Sequence, residues 1–253
     1  MKSIILLSRI FNSIYYRLFK THRLKRLLYF VSGGQHYKNK HYSKKLHNSL
    51  KDVNNRTDIS DHLNLIFNTT INAEPRLIVE LGTRGGDSTK SLLAAAAYCD
   101  STVLSIDIED CSNYVSSKYW YFIKDDDISF AKKGFLDWCK EKSMRPEADI
   151  VFIDTSHLYE HTKKEIESWS KFLSKEGFLI FHDTNMGKGA YARNDGSIGI
   201  GWDNKRGVIR AIEEFMGKSY DENTYFCDTS AGYNLIHFPN CNGLTIIKKR
   251  ISR

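Results

Sequence analysis

The chain has 253 residues, 41% hydrophobic and 13% aromatic, which is enough for a substantial core and speaks against general disorder. Its five cysteines (Cys99, Cys111, Cys139, Cys227, Cys241) form no C-x-x-C pair, against a zinc or disulfide framework and in keeping with a reducing, cytoplasmic setting. The net charge of +7 is unevenly placed: residues 1–50 carry eleven Lys/Arg and no acid, the last six residues carry four more, and the stretch between holds 22 basic against 30 acidic residues.

Anionic partners are therefore expected at the ends and not on the acidic body. Residues 1–50 read as a basic N-terminal arm and 51–253 as the functional domain. Arg9, Arg17, Lys20, Arg23, Lys25 and Arg26 interrupt the arm too often for a membrane span, and IILL is too short for a signal peptide. At helical spacing, Ile4, Leu7, Phe11, Ile14, Tyr15 and Leu18 share one face opposite the basic residues. Such a helix fits the inner face of an anionic membrane as a peripheral contact, and equally the body of the protein or a partner subunit in a homo-oligomer; periodicity does not choose between them. HYKNKHYSKK (36–45) mixes Lys, His and Tyr but forms no recognised nucleic-acid module.

From residue 76 strands and helices alternate. RLIVEL (76–81) predicts a strand, DSTKSLLAAAAYC (87–99) a helix, TVLSID (102–107) a strand and YWYFI (119–123) a third. ISFAKKGFLDWCKEK (128–142) predicts one helix, DIVFID (149–154) a strand, YEHTKKEIESWSKFL (159–173) a helix and GFLIFHD (177–183) a strand. YNLIHF (233–238) and GLTIIKK (243–249), separated by PNCNG, predict an antiparallel hairpin at a sheet edge. The rhythm is that of βα units in an α/β domain with a mainly parallel sheet covered on both faces.

The turn in VELGTRGGDST brings Glu80 to the end of the first strand and passes through Gly82, Gly85 and Gly86 into a helix. Glycines there admit a ligand close to the backbone, but the spacing is not the dinucleotide G-x-G-x-x-G. Asp107 ends the second strand, where an acid accepts ribose hydroxyls. A ligand with a ribose and a cationic amino-acid portion fits better than a phosphorylated one. The run E-L-G-T-R-G-G resembles motif I of class I S-adenosylmethionine-dependent methyltransferases. That resemblance implies a Rossmann-like, seven-stranded, mostly parallel sheet ending in an antiparallel hairpin. It places Glu80, Gly82 and Gly86 at the methionine end of S-adenosylmethionine, counts Thr83 and Ser88 in the same donor site, and gives the ribose to Asp107. Arg84 stands where many members have a central glycine. Of the acids at 125–127, Asp126 is taken as the residue near the adenine.

DIVFIDTSH and GFLIFHDTN each bring acids to the carboxyl end of a strand, where open α/β sheets assemble their sites. With GVIRAIEEF (207–215) and NGLTII they resemble the group containing macrocin O-methyltransferase and the cephalosporin hydroxylase-like proteins. The resemblance spans about residues 76–247 and implies O-methylation of a sugar, glycan or natural-product intermediate, assisted by a divalent cation. Alternatives are a metal-dependent methyltransferase of small aromatic hydroxyls and a non-catalytic scaffold of the same fold at a membrane. A hydroxyl is a poor nucleophile near neutral pH, so a cation and a base are the chemistry to expect.

Asp154 and Asp183 are candidate metal ligands, with His182 beside them where relatives carry an acid or an amide; imidazole favours Mn²⁺ over Mg²⁺. Asp154 is also counted as catalytic, and His157 completes the D-x-x-H that carries the base in relatives. His161, one turn further on, is expected to face solvent. The glycine-rich stretch 184–206 reads as a lid over the acceptor, with Tyr191, Arg193 and Trp202 as candidate contacts.

Overall fold

The computed structural model describes residues 57–186, 190–192, 198–200 and 206–250. The predicted basic arm lies outside the described residues, as do Arg193 and Trp202. After a short 3-10 turn at Ser60–His62, the elements are α1 (Leu63–Ala73), β1 (Leu77–Leu81), α2 (Asp87–Cys99), β2 (Thr102–Asp107) and β3 (Trp120–Lys124). Then come α3 (Asp127–Lys133), α4 (Phe135–Glu141), β4 (Ala148–Ile153), α5 (Tyr159–Trp169) and β5 (Leu173–His182). Strands β6 (Ala190–Ala192) and β7 (Ile198–Ile200) pair with each other, and α6 (Gly207–Met216), β8 (Phe226–Ser230), β9 (Tyr233–Phe238) and β10 (Leu244–Lys249) complete the chain.

The main sheet runs in the order β3-β2-β1-β4-β5-β10-β9-β8. Strands β1 to β5 are parallel, and β10, β9 and β8 continue the sheet antiparallel. The expected seven strands are eight, because FCDTS (226–230) adds an edge strand that pairs with β9 from Phe226–His237 to Ser230–Tyr233. The predicted hairpin β9–β10 is therefore interior to the sheet, with β10 clasped between β5 and β9. The predicted helix 128–142 is two helices meeting at Gly134, where a Cβ would sit 2.6 Å from the Phe130 ring. The predicted helix 159–173 closes at Trp169, and Leu173 already belongs to β5.

Alternation along the strands builds a core on each face. Leu77, Val79 and Leu81 of β1 join Leu104, Ile106, Val151, Ile153, Phe135 and Trp169 on one side. Ile78 joins Val103, Ile150, Phe152, Leu63, Ile66 and Leu92 on the other, beneath α1 and α2. With both faces covered, the open ground for a ligand is at the carboxyl ends of β1 and β4, where the strand order reverses. Among the described residues no helix is long and apolar enough to cross a membrane.

Candidate active site at the strand reversal

A cavity of about 1010 Å³ opens at that reversal. Its wall includes Gly82, Thr83, Arg84, Gly85 and Ser88 from the first turn, Asp107 from β2, and Asp125, Asp127, Asp154 and His161. Asp58, Asp87, Glu109 and Asp110 complete a lining of eight carboxylates, against Arg84 and His161 as its basic side chains. Such a wall favours a cationic guest over a phosphorylated one.

The turn after β1 is fixed from several sides. Gly82 has φ +85 and a Cβ there would lie 2.1 Å from the carbonyl oxygen of Asp154, so the position requires glycine. Asp107 Oδ2 accepts from the backbone N–H groups of Thr83 (2.8 Å) and Arg84 (3.1 Å), which holds the turn against β2. Glu80 faces inward from the turn. Fully buried, it accepts from Ser88 Oγ (2.7 Å), Thr89 Oγ1 (2.8 Å) and Ser105 Oγ (2.5 Å). Burial, only partly offset by those hydroxyls, pushes its carboxyl up to about 7. It is absent from the cavity wall and secures the start of α2 from behind, where Gly86 is the N-cap residue. Asp126, expected near the adenine, instead caps α3 by accepting from the Ser129 N–H at 2.7 Å, and its neighbours Asp125 and Asp127 reach the cavity.

Beside the cavity the predicted residues of β4 and β5 converge. His157 Nε2 lies 2.7 Å from Asp183 Oδ2 and 4.0 Å from Asp154 Oδ1. His182 Nδ1 lies 3.4 Å from Asp154 Oδ1 and 3.3 Å from Asp183 Oδ2, while its Nε2 reaches the Cys241 carbonyl at 3.2 Å. His157 and Asp183 both have left-handed backbones, φ 58 and φ 55, a strain of about 1–3 kcal/mol each that clusters at functional sites. Burial opposes a charge on His182, but Asp183 and Asp154 outweigh it and hold its pKa well above the ordinary value. Burial likewise opposes a charge on Asp183, and His182 and His157 overcome it, holding the carboxyl well below the usual range.

Asp154, His182 and Asp183 offer one donor atom each within 4.8 Å of one another. Two carboxylates and an imidazole fit a divalent cation of the borderline kind, Mn²⁺ more readily than Mg²⁺.

The sequence reading missed Asp58. Burial raises its pKa, and the charges of Asp183 and Asp154 raise it further, while Arg84 stands 3.6 Å away. It precedes the first strand in a segment with no periodic pattern, so only the folded chain brings it to the site. His161 also departs from expectation. Its side chain is 26% exposed and turns inward, Nε2 lying 3.3 Å from Asp127 Oδ1 and 3.5 Å from the buried Glu165 Oε1. Tyr191 falls in β6, by backbone only.

The strand order, the glycine turn and an acid at the end of β2 together define the class I methyltransferase fold. Residues 79–184 match the family model described as a methyltransferase domain. Solved structures share the fold. A Staphylococcus aureus protein provisionally described as a caffeoyl-CoA O-methyltransferase superposes with a TM-score of 0.52 at 17% identity, covering 87% of this chain and 97% of its own. A Klebsiella pneumoniae protein provisionally described as an O-methyltransferase gives 0.52 at 12% identity, covering 87% and 94%. MycE methyltransferase from the mycinamycin biosynthetic pathway, solved with Mg, SAH and mycinamycin VI, gives 0.52 at 15% identity, covering 94% of this chain and 63% of its own. A comparison with curated proteins finds no sequence match.

Proposed function

We propose that the chain transfers the methyl group of S-adenosylmethionine to a hydroxyl of a sugar, glycan or natural-product intermediate. The carrying observation is the acidic cavity running from Asp107 to Asp154, with the His157–Asp183 pair at 2.7 Å beside it. The carboxylates suit a donor bearing a sulfonium and an α-ammonium group. Asp107, at the wall, is suited to the ribose hydroxyls, and the turn through Gly82 lets the methionine end approach the backbone. The complex of MycE with Mg, SAH and mycinamycin VI supports a small-molecule acceptor and a cation.

His157 is the proposed base. Held against Asp183 Oδ2 at 2.7 Å, its imidazole is suited to take up the hydroxyl proton as the oxygen attacks the methyl group and the methyl–sulfur bond breaks to release S-adenosylhomocysteine. Asp183 orients the ring and stabilises the imidazolium that forms. Asp154, His182 and Asp183 would hold a divalent cation, whose chemistry there is to acidify the hydroxyl.

Calorimetry of the full chain with S-adenosylhomocysteine tests the donor assignment. Asp107→Ala is expected to weaken binding about tenfold or more, as loss of a charge-assisted hydrogen-bonding group does. No heat from the unaltered chain would sink the reading. For the arm we propose a peripheral contact with an anionic membrane, supported by its basic amphipathic pattern. Flotation with anionic vesicles should carry the full chain and leave behind a chain that begins at Asp52; equal flotation removes the membrane role.

A further inference from the structure

A second histidine–carboxylate group stands in the cavity wall, away from the His157–Asp183 pair. His161 and Glu165 lie four residues apart on α5, hence on one face, and Asp127 opens α3 opposite them. Their donor atoms lie within 4.8 Å of one another. Glu165 is 0% exposed and Asp127 5%. Asp127 Oδ2 and Glu165 Oε2 are both buried without a hydrogen-bond donor.

A proton on His161 explains only part of this arrangement. Hydrogen bonds to Asp127 and then Glu165 raise the imidazole to about 10, so in the ion-free chain a proton takes the place between the acids. Yet charge-assisted N–H···O bonds run about 2.7–2.9 Å. The single Nε2–H stands instead at 3.3 and 3.5 Å from two oxygens, and the two outer oxygens keep no donor. His157, at 2.7 Å from Asp183, shows what a formed pair looks like in the same chain. A tetrahedral ion with bonds of about 2.0–2.2 Å holds its ligand atoms about 3.3–3.6 Å apart. The two spacings from His161 match that edge, and the Asp127 and Glu165 donor atoms lie within 4.8 Å of each other.

We propose that Asp127, His161 and Glu165 form a divalent-cation site of the Zn²⁺ or Mn²⁺ type, pinning α5 to α3 beside the donor cavity. Two carboxylates and a neutral imidazole carry the charge a divalent ion balances, and the donor set suits a borderline metal. Thr155 Oγ1 donates to Glu165 Oε1 at 2.7 Å and fixes the carboxylate's orientation, as outer partners of ligands do. Asp127 and His161 line the cavity, which supplies an entry path and room for a fourth ligand. The site stands independently of the methyl-transfer reading.

The test is metal content by mass spectrometry after dialysis of the full chain against Zn²⁺. In an Asp154→Asn/Asp183→Asn background, which disables the other cluster, one ion per chain is expected to remain. Adding His161→Ala or, preserving volume, Glu165→Gln should weaken its retention at least tenfold. The unaltered chain should likewise lose one ion on His161→Ala alone, a comparison that stands even if the double variant fails to fold. A folded background chain that holds no ion, or retention unchanged by His161→Ala in the otherwise unaltered chain, overturns the proposal.

Discussion

Glu80 should make the stability of this chain depend on pH in an unusual direction. Its carboxyl is raised from an ordinary 4.5 to about 7, burial outweighing the hydroxyls of Ser105, Ser88 and Thr89. Between those two values the folded chain binds the proton that the unfolded chain has released. Unfolding free energy therefore falls as pH rises through that window, the stabilising proton being fully bound below 4.5 and lost above 7. The size follows from about 1.36 kcal/mol per pH unit over the gap, or about 3 kcal/mol. That is a large share of the roughly 5–15 kcal/mol that holds a domain folded.

Glu80→Gln keeps the shape and stays neutral at every pH. Urea unfolding of both chains between pH 4.5 and 8 should show the variant gaining about 3 kcal/mol on the parent as pH rises, with unchanged m values. Comparing the two chains cancels the titration of every other group. A gap constant within about 0.5 kcal/mol would refute the reasoning, since it would mean that three hydroxyls suffice to hold the buried carboxylate charged.

Other substitutions probe the site directly. Gly82→Ala is expected to destabilise the chain by more than the roughly 1–2 kcal/mol of a left-handed residue, because its Cβ meets the Asp154 carbonyl at 2.1 Å. Gly85→Ala, with nothing within 4 Å of its Cβ, is the control, and equal melting temperatures for the two would contradict the packing described. His157→Ala should lower turnover about 10²- to 10⁴-fold with S-adenosylhomocysteine affinity unchanged; full turnover would return His157 to a packing role. His182→Asp should shift divalent-ion binding, read by calorimetry, from Mn²⁺ towards Mg²⁺, and an unaltered preference would remove His182 from the ligand set.

The elements best read from sequence are those whose signal is local. The bounds of α2, β2 and β9 coincide with the residues that composition and alternation mark out. Strand β8 escaped because FCDTS alternates poorly and is only partly buried; its strand character comes from β9 beside it. Helix α1 shows helical spacing in Leu63, Ile66, Phe67 and Thr70, all buried, but precedes the strand from which the alternating pattern was counted. The convergence of Asp154, His157 and Asp183 was legible because acids at adjacent strand ends must meet in a parallel sheet. Asp126 and His161 were misplaced for a common reason. Each was assigned by position along its own element, whereas Asp126 was claimed by the helix cap and His161 by carboxylates, one of them from α3.

The place of His182 follows from the charges around it. Its Nε2 faces the Cys241 carbonyl and so must donate, which directs Nδ1 at Asp154 and Asp183. A bare lone pair facing two carboxylates is untenable in a buried site, so positive charge has to lie between them, either a proton on Nδ1 or a cation shared by all three groups. An aspartate at 182 would have no such alternative: without a cation, Asp154, Asp183 and the new acid would repel one another, with Asp58 close enough to add to the strain. A protonated His182 sets one positive charge between the two acids, and in the proposed cation site it would surrender that proton to the ion. On the proposed reading Asp127, His161 and Glu165 would obey the same exchange, so that at both clusters found among the described residues a proton and a divalent ion would compete for one position.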